Sequence, residues 1–393
     1  MYLITNGDVV TEQEILAEHE VLIDGDRIAG IFPAGTINKN VIEQVIDAEG
    51  GLITPGFVDI HADFIETMAS PRPTSIMDFN LSLRETEKVL ASHGITTMFH
   101  SLSLYKHDEF GNKPIRKPEN VTQLIKLIHE SHSCKHLIRH RFHARFEIDN
   151  FDQVESLRTF IKEDKVHLLS FMDHSPGQGQ YRNLEVYRTT LKGYRADISD
   201  DDIDQIITDN QVKEKMTLKM IKEVAALAMS KNIAIASHDD DSMEKIGLVK
   251  QFGATISEFP ITMEVASEAK KQGLLTVAGA PNVLLGCSHS GNLSAAEAVL
   301  QNNVDVLCSD YYPPALLHAV FILAEKYDQD LAAMFRLVTV NPAKAVRMDQ
   351  EIGSITEGKK ADLLVVNKIE DNFPVITSVF VDGKLVTHTN YRV

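Results

Sequence analysis

The feature that most constrains this chain is a series of eight short apolar runs, at residues 57–60, 96–99, 142–148, 166–172, 233–237, 255–259, 274–278 and 304–308, separated by helical patterns. Runs of that length alternating with helices predict parallel strands joined by crossover helices. Eight such strands close a (β/α)8 barrel, so the expected fold class is α/β, a TIM-type barrel over residues 54–350. Between 211 and 231, Met216, Met220, Val224 and Leu227 have helical spacing and predict one helix. The polar stretch 105–120, with Gly111 and two prolines, reads as a surface loop. The stretch 175–209 is too long for an ordinary connection and is expected to be an insertion that acts as a lid over the strand ends. Its Arg182, Tyr187, Arg188, Lys192, Tyr194 and Arg195 either grip phosphate or form a solvated face paired with the acidic residues at 197–204.

The two ends of the chain have a different character. Residues 1–53 alternate apolar and polar side chains in short runs punctuated by Asn6-Gly7, Asp24-Gly25 and Pro33, which is hairpin chemistry. Residues 360–366 and 379–386 read the same way. Short strands alone bury too little apolar area to be stable, so 1–53 and 351–393 are expected to pair into one small β domain.

Composition sets the class of partner. Apolar residues make up 44% and charged residues 24%, both globular values. No uninterrupted apolar stretch approaches the roughly 18 residues of a membrane span, and the N-terminus lacks the basic head and cleavage site of a signal peptide. The expectation is a cytoplasmic protein with no membrane partner; a homo-oligomer is compatible with the sequence. Cys134, Cys287 and Cys308 are odd in number with no C-x-x-C spacing, which indicates neither a disulfide framework nor a structural zinc site. The formal charge of −17 argues against nucleic acid. It does not exclude a small anionic substrate, because a bound divalent metal and a few local cations dominate the field in one pocket.

Residues of metal-ligand type stand at the ends of these runs. His61 and Asp63 lie two apart and so share one face of a strand. The third run ends in Glu147, the fourth in Asp173-His174, the fifth in His238-Asp239, and the eighth in Asp310. Taken singly, His174 or His238 is an ordinary hydrogen-bonded histidine, as we read His93, His129, His132 and His136, and Glu147 is a salt-bridge residue. Taken together, His61, Asp63, Glu147, His174, His238 and Asp310 all fall at the end of a barrel strand where catalytic groups collect. Imidazoles suit borderline metals and carboxylates harder ones. One or two divalent ions are expected, zinc ahead of manganese.

The His61-x-Asp63 pair after Pro55-Gly56-Phe57-Val58-Asp59, the late Asp310, and the closing segment from Gly353 to Leu363 resemble the amidohydrolase superfamily. The resemblance covers essentially the whole chain. It implies a mono- or binuclear metal centre at the barrel mouth, Asp310 as general base and Glu147 as a bridging ligand in place of a carbamylated lysine. The chain departs from the commonest pattern in having Asp63 where a second His is usual. More specific segments, Ser70-Pro71-Arg72-Pro73, 170–178, 236–240, Gly279-Ala280-Pro281-Asn282, 288–292 and 309–313, resemble the family of α-D-ribose 1-methylphosphonate 5-triphosphate diphosphatases of the carbon–phosphorus lyase pathway. That resemblance implies removal of pyrophosphate from a phosphorylated sugar. Phe64 and Thr67 stand where better-known members tend to have Asn and a basic residue.

Expected substrate contacts are Arg72, Ser175, Gly177, Gln178, Asp239, His289, Ser290 and Asn292, because Gly-rich loops present backbone N–H groups to anions. Arg72 between two prolines reads equally as part of a rigid turn. Two other functions stay open at this level: an amidohydrolase cleaving a C–N bond of a small substrate, and a non-catalytic barrel scaffold. Retention of the full ligand set speaks against the scaffold.

Overall fold

A computed structural model describes residues 1–72, 74–104, 114–195, 197–286 and 293–392. The expected contacts His289, Ser290 and Asn292 lie outside the described residues, as do 105–113 of the expected surface loop.

The chain opens with β1 (Tyr2–Val10), β2 (Ile15–Asp24), β3 (Arg27–Pro33), β4 (Gln44–Asp47) and β5 (Leu52–Pro55). It closes with β14 (Leu363–Ile369), β15 (Phe373–Val381) and β16 (Lys384–His388). These strands form one mixed sheet in the order β16-β15-β14-β5-β1-β2-β3, with β4 beside β1. The two ends of the chain meet where β5 pairs antiparallel with β14, and β5 spans both sides of the expected boundary at 53. Asp24-Gly25 does begin a hairpin turn, between β2 and β3. Asn6-Gly7 does not: it lies inside β1, where the register with β2 shifts and Asn6 takes φ 57°. Asn tolerates the left-handed region that Gly also favours, so a dipeptide typical of turns here marks a bulge.

The barrel consists of β6 (Phe57–Ala62), β7 (Ile95–Leu104), β8 (Arg139–Glu147), β9 (Leu168–Met172), β10 (Ala234–His238), β11 (Ile256–Glu258), β12 (Leu275–Gly279) and β13 (Val306–Cys308). All eight correspond to the apolar runs, and neighbours pair in parallel in chain order. Gly56 lets β6 lie tight against β7, since a Cβ there would sit 2.4 Å from Thr96. Val58, Ile60, Phe99, Leu168, Ala236, Ile256, Val277 and Val306 from the barrel strands share a single buried apolar cluster.

The seam between β13 and β6 is only partly a strand ladder. Toward the start of the strands Val338 O accepts from Val58 N at 2.9 Å and Leu337 O from Leu307 N at 2.8 Å, so the 337–338 segment fills the gap. At the far end the strands meet directly. Asp310 N donates to His61 O and Asp63 N donates to Asp310 O, both at 3.0 Å, around an Ala62–Asp310 bridge.

Three connections differ from expectation. The 211–231 helix begins only at Leu218 and runs to Ser230, capped by Thr217, with Ile221, Val224, Ala225 and Ala228 as its buried stripe. Of the stretch 105–120, the described residues 114–120 hold a 3-10 turn at Pro114–Arg116 and the start of a helix, Pro118–Ser131, that Pro118 begins. The 175–209 insertion holds two helices, Leu184–Tyr194 and Asp200–Gln211, with their own small core of Tyr181, Tyr187, Leu191, Ile203 and Ile207. Tyr187 is thereby fully buried, Arg188 pairs with Asp204, and Lys192 pairs with Asp200 at 2.6 Å. Arg188 and Lys192 thus follow the solvated-face alternative, and Tyr187, a core residue of the insertion, follows neither reading.

Barrel and sheet are joined by a buried ion cluster. Arg139, at the start of β8, bonds both oxygens of Asp362, reaches Asp382 Oδ1 at 2.6 Å and donates to Thr97 Oγ1 at 3.2 Å. Asp362 is almost wholly buried. Removing one partner of such a pair strands the other charge away from water, at about 3 kcal/mol or more. Arg139→Met is therefore expected to lower the unfolding free energy by about 3 kcal/mol, read from the urea midpoint; a loss below about 1 kcal/mol would show that the cluster contributes little.

Candidate metal centre and active site

Each functional side chain is set by the period of its strand. On β8, Phe142, Ala144 and Phe146 pack outward with the helices, so His143, Arg145 and Glu147 alternate onto the other face. His143 is fully buried, with Nδ1 3.0 Å from Ser101 Oγ and 3.1 Å from Ile60 O, and Nε2 2.9 Å from Ser170 Oγ. One layer beneath the mouth, His61 Nδ1 lies 2.9 Å from Glu258 Oε1, and His143 Nε2 is 3.8 Å from Glu258 Oε2. Burial holds His61 well below the usual imidazole range, with the Arg145 guanidinium adding to it, and pushes His143 down to about 3. Both rings are therefore neutral and keep a lone pair near neutral pH.

Above this layer stand His174, His238 and Asp239, which present three ligand atoms within 4.8 Å of one another. His238 Nδ1 is 2.9 Å and His174 Nε2 3.5 Å from Asp239 Oδ2. His174 Nδ1 pairs closely with Glu147 Oε1. The His238 ring centroid lies 5.6 Å from that of His174 and 5.3 Å from that of His61. Thus Glu147, His174 and His238 come together with His61 adjoining, and Asp239, expected as a substrate contact, sits among them.

Burial opposes the charge on Asp239, yet the His238 and His174 rings hold its carboxyl far below the usual carboxylate range. Asp239 Oδ2 and His238 Nδ1 are nonetheless buried without a well-formed hydrogen bond. Two imidazoles, a carboxylate and unsatisfied lone pairs at one point are what a borderline divalent cation requires, so the residues fit the expected metal.

Asp63 faces a different partner. Its Oδ2 is 3.7 Å from Arg116, whose Nε also bonds both oxygens of Glu66, at 2.9 and 3.1 Å. Phe64 packs against the apolar cluster behind the barrel, and Thr67 is exposed. Asp310 is stitched to His61 and Asp63 through the backbone, in the left-handed region at φ 58°. Burial pushes its carboxyl up to about 7, helped by the Asp63 carboxylate and opposed by Arg145. Beneath it Asp59, pushed up to about 6 by burial, accepts from Ser309 N at 3.2 Å and His61 N at 3.3 Å.

The expected substrate contacts divide. Ser175, Gly177 and Gln178 form a turn beside His174, with Gln178 N donating to Ser175 O and Gly177 N to Tyr181 O, each at 3.0 Å. Gly179 presses on Asp239, where a Cβ would come within 3.1 Å of the Asp239 Cβ. Arg72 is exposed in a tight turn bridged to Ser75. Cations that the sequence reading passed over also reach this end. Lys215 Nζ bonds Asp173 Oδ2 at 2.7 Å, Lys245 Nζ bonds the carbonyls of His238 and Asp239 at 2.9 and 3.0 Å, and Arg145 lies 3.3 Å from His238 Nε2. His143 and Arg145 were legible as the i and i+2 partners of a strand that ends in Glu147; Glu258 was legible as the polar end of the 255–259 run.

Outer carboxylates orient a metal-binding imidazole and raise its basicity, and losing them typically costs 10- to 100-fold in affinity. Glu258→Gln is accordingly expected to weaken divalent-metal binding at the mouth by about 10- to 100-fold, read by competition with a chelating dye. Unchanged affinity would remove His61 from the ligand set.

Known proteins bear on this geometry in three ways. Residues 1–52 match the NagA composite domain, and residues 205–386 match the Amidohydrolase family. The chain is 31% identical over 388 residues to the alpha-D-ribose 1-methylphosphonate 5-triphosphate diphosphatase of Escherichia coli (strain K12), covering 98% of this chain and 100% of that one. Among solved structures, a Xaa-Pro dipeptidase with bound methionine aligns over 98% of this chain and 99% of its own, with TM-score 0.66 and 15% identity. The N-acetylglucosamine-6-phosphate deacetylase from Pasteurella multocida does so over 98% and 99%, with TM-score 0.61 and 15% identity. At that identity these two speak for the fold alone. The barrel with its composite sheet, the ligand-type side chains at its mouth and the end-to-end relative lead to one assignment: the chain is a hydrolytic enzyme and belongs to the amidohydrolase family.

Proposed function

We propose that the chain removes pyrophosphate from α-D-ribose 1-methylphosphonate 5-triphosphate, leaving the 5-monophosphate. The observation that carries this reading is the full-length similarity to a relative named for that reaction, in a chain whose mouth combines a His/His/Asp ligand group with a buried carboxyl near neutrality. His174, His238 and Asp239, with Glu147 and His61 adjoining, would hold one or two divalent ions. When bound, such a metal supplies Lewis-acid activation of water and neutralises phosphate charge.

The chain's own groups do the rest. Asp310 accepts a proton from the attacking water as its oxygen bonds to the α-phosphorus. The bond from that phosphorus to the bridging oxygen breaks, and the electron pair leaves with pyrophosphate. A carboxyl with a pKa near the working pH is well matched to that transfer. Its backbone stitch to His61 and Asp63 fixes its position relative to the ligand layer. Arg145, with the side chains of Ser175 and Gln178 in the Gly177-containing turn beside His174, is assigned to the phosphate chain, where pre-oriented donors favour the charge of the leaving group.

Phosphorus NMR of the metal-loaded enzyme with this triphosphate tests the reading directly: pyrophosphate is expected and orthophosphate is not. An unchanged spectrum from protein shown to carry metal contradicts it. Asp310→Asn is expected to retain metal and lose about 10²-fold or more in turnover, the scale of general-base catalysis; wild-type turnover in that variant would overturn the role of Asp310.

A further inference from the structure

Seven residues before Glu147 on the same strand, a second group of ligand-type side chains meets on the helix-facing side of the barrel. Glu87 comes from the helix Phe79–Ser92, His140 from the start of β8, and His136 from the segment leading into it. At about 3.3 Å per residue this group is roughly 20 Å from the mouth along β8. The three present ligand atoms within 4.8 Å of one another. Their side chains are 5%, 8% and 0% exposed for Glu87, His136 and His140, so a charge here is shielded from water.

The hydrogen bonding is oversubscribed. Glu87 Oε2 lies 2.9 Å from His136 Nδ1, 3.2 Å from His140 Nε2 and 2.8 Å from the Leu137 amide nitrogen. One carboxylate oxygen offers about two lone-pair sites, and here three donors converge on it. The Leu137 amide must donate, whereas each imidazole can give up its proton. His100 Nε2 lies 2.8 Å from His140 Nδ1, in position to accept a hydrogen bond from Nδ1–H in the tautomer that leaves His140 Nε2 with its lone pair. A buried outer partner of this kind is what fixes the tautomer of a metal-binding histidine. Arg84 sits on the solvent side, 4.0 Å from the other oxygen, Glu87 Oε1, and bonded to Lys135 O at 3.0 Å. It is therefore turned to the oxygen that the imidazoles do not share.

We infer that Glu87, His136 and His140 form a second divalent-metal site, separate from the barrel mouth, that takes zinc and pins the helix Phe79–Ser92 to the start of β8. Two imidazoles and one carboxylate are a recurrent zinc donor set. In a regular tetrahedral site with bonds near 2.0–2.1 Å, donor atoms are about 3.3 Å apart. The His140–Glu87 and His136–Glu87 separations already approach that spacing, and the two imidazole nitrogens lie within 4.8 Å of each other.

The test counts zinc in the full-length chain. Wild type and a His174→Ala/His238→Ala double variant are stripped with chelator, titrated with Zn2+ alone and assayed by mass spectrometry, each with and without His136→Ala. In both backgrounds His136→Ala is expected to remove one zinc per chain. Glu87→Gln, close in shape to wild type, is expected to weaken binding of that same ion at least tenfold, with native circular dichroism. If the zinc count is unchanged by His136→Ala and affinity is unchanged by Glu87→Gln, the site does not exist. If the double variant keeps its native spectrum and binds no zinc, the inference is likewise overturned.

Discussion

The catalytic end of this barrel depends on one short seam. Residues 337–338 intervene between β13 and β6 lower down, and among the described residues the two strands exchange backbone hydrogen bonds where Asp310 meets His61 and Asp63. Asp59 reinforces the join by accepting from the amides of His61 and Ser309. The same few peptide groups therefore close the barrel and set the general-base candidate against the strand that carries His61. Any shift of β13 relative to β6 would move the carboxyl and open the sheet together, which couples the stability of the mouth to its geometry.

Around that seam the structure concentrates charge in a buried setting, where an unpaired ion is costly. Part of it is paired with cations, Asp173 with Lys215 and Asp63 and Glu66 with Arg116, while Glu258 and Glu147 lie against the imidazoles of His61 and His174. Among the described groups left without a full partner are the Asp239 and His238 edge, Asp240 Oδ1, Glu258 Oε2 and the raised carboxyls of Asp59 and Asp310. A protein made only for stability would have no reason to keep these groups; a site that binds a cation and moves a proton needs both.

Much of this was legible in the sequence because barrel strands carry two simple signals, a short apolar run and a polar residue just after it. The eight runs matched eight strands, and their ends led to Glu147, His174, His238 and Asp310. What escaped depended on pairings across the fold. Nothing local says that Asp63 will face Arg116, which comes from a stretch that reads as loop, or that Asn6-Gly7 will be a bulge whose partner strand is β2. Strand alternation carried a signal for Glu258 and His143, but a buried polar residue inside an apolar run looks like an ordinary strand residue until its partners are known. Likewise His136 read as a plain hydrogen-bonded histidine, and only the packing of a helix against β8 brings it to Glu87 and His140.

The central claim is that the mouth assembled by this seam is a metal centre. The most direct measurement is anomalous X-ray scattering from crystals of the zinc- or manganese-loaded protein, with data on either side of the metal absorption edge. The account predicts a peak among His174, His238 and Asp239, with Glu147 or His61 in the coordination shell. No peak at the mouth in metal-saturated crystals, with these side chains ordered around one another instead, would contradict it.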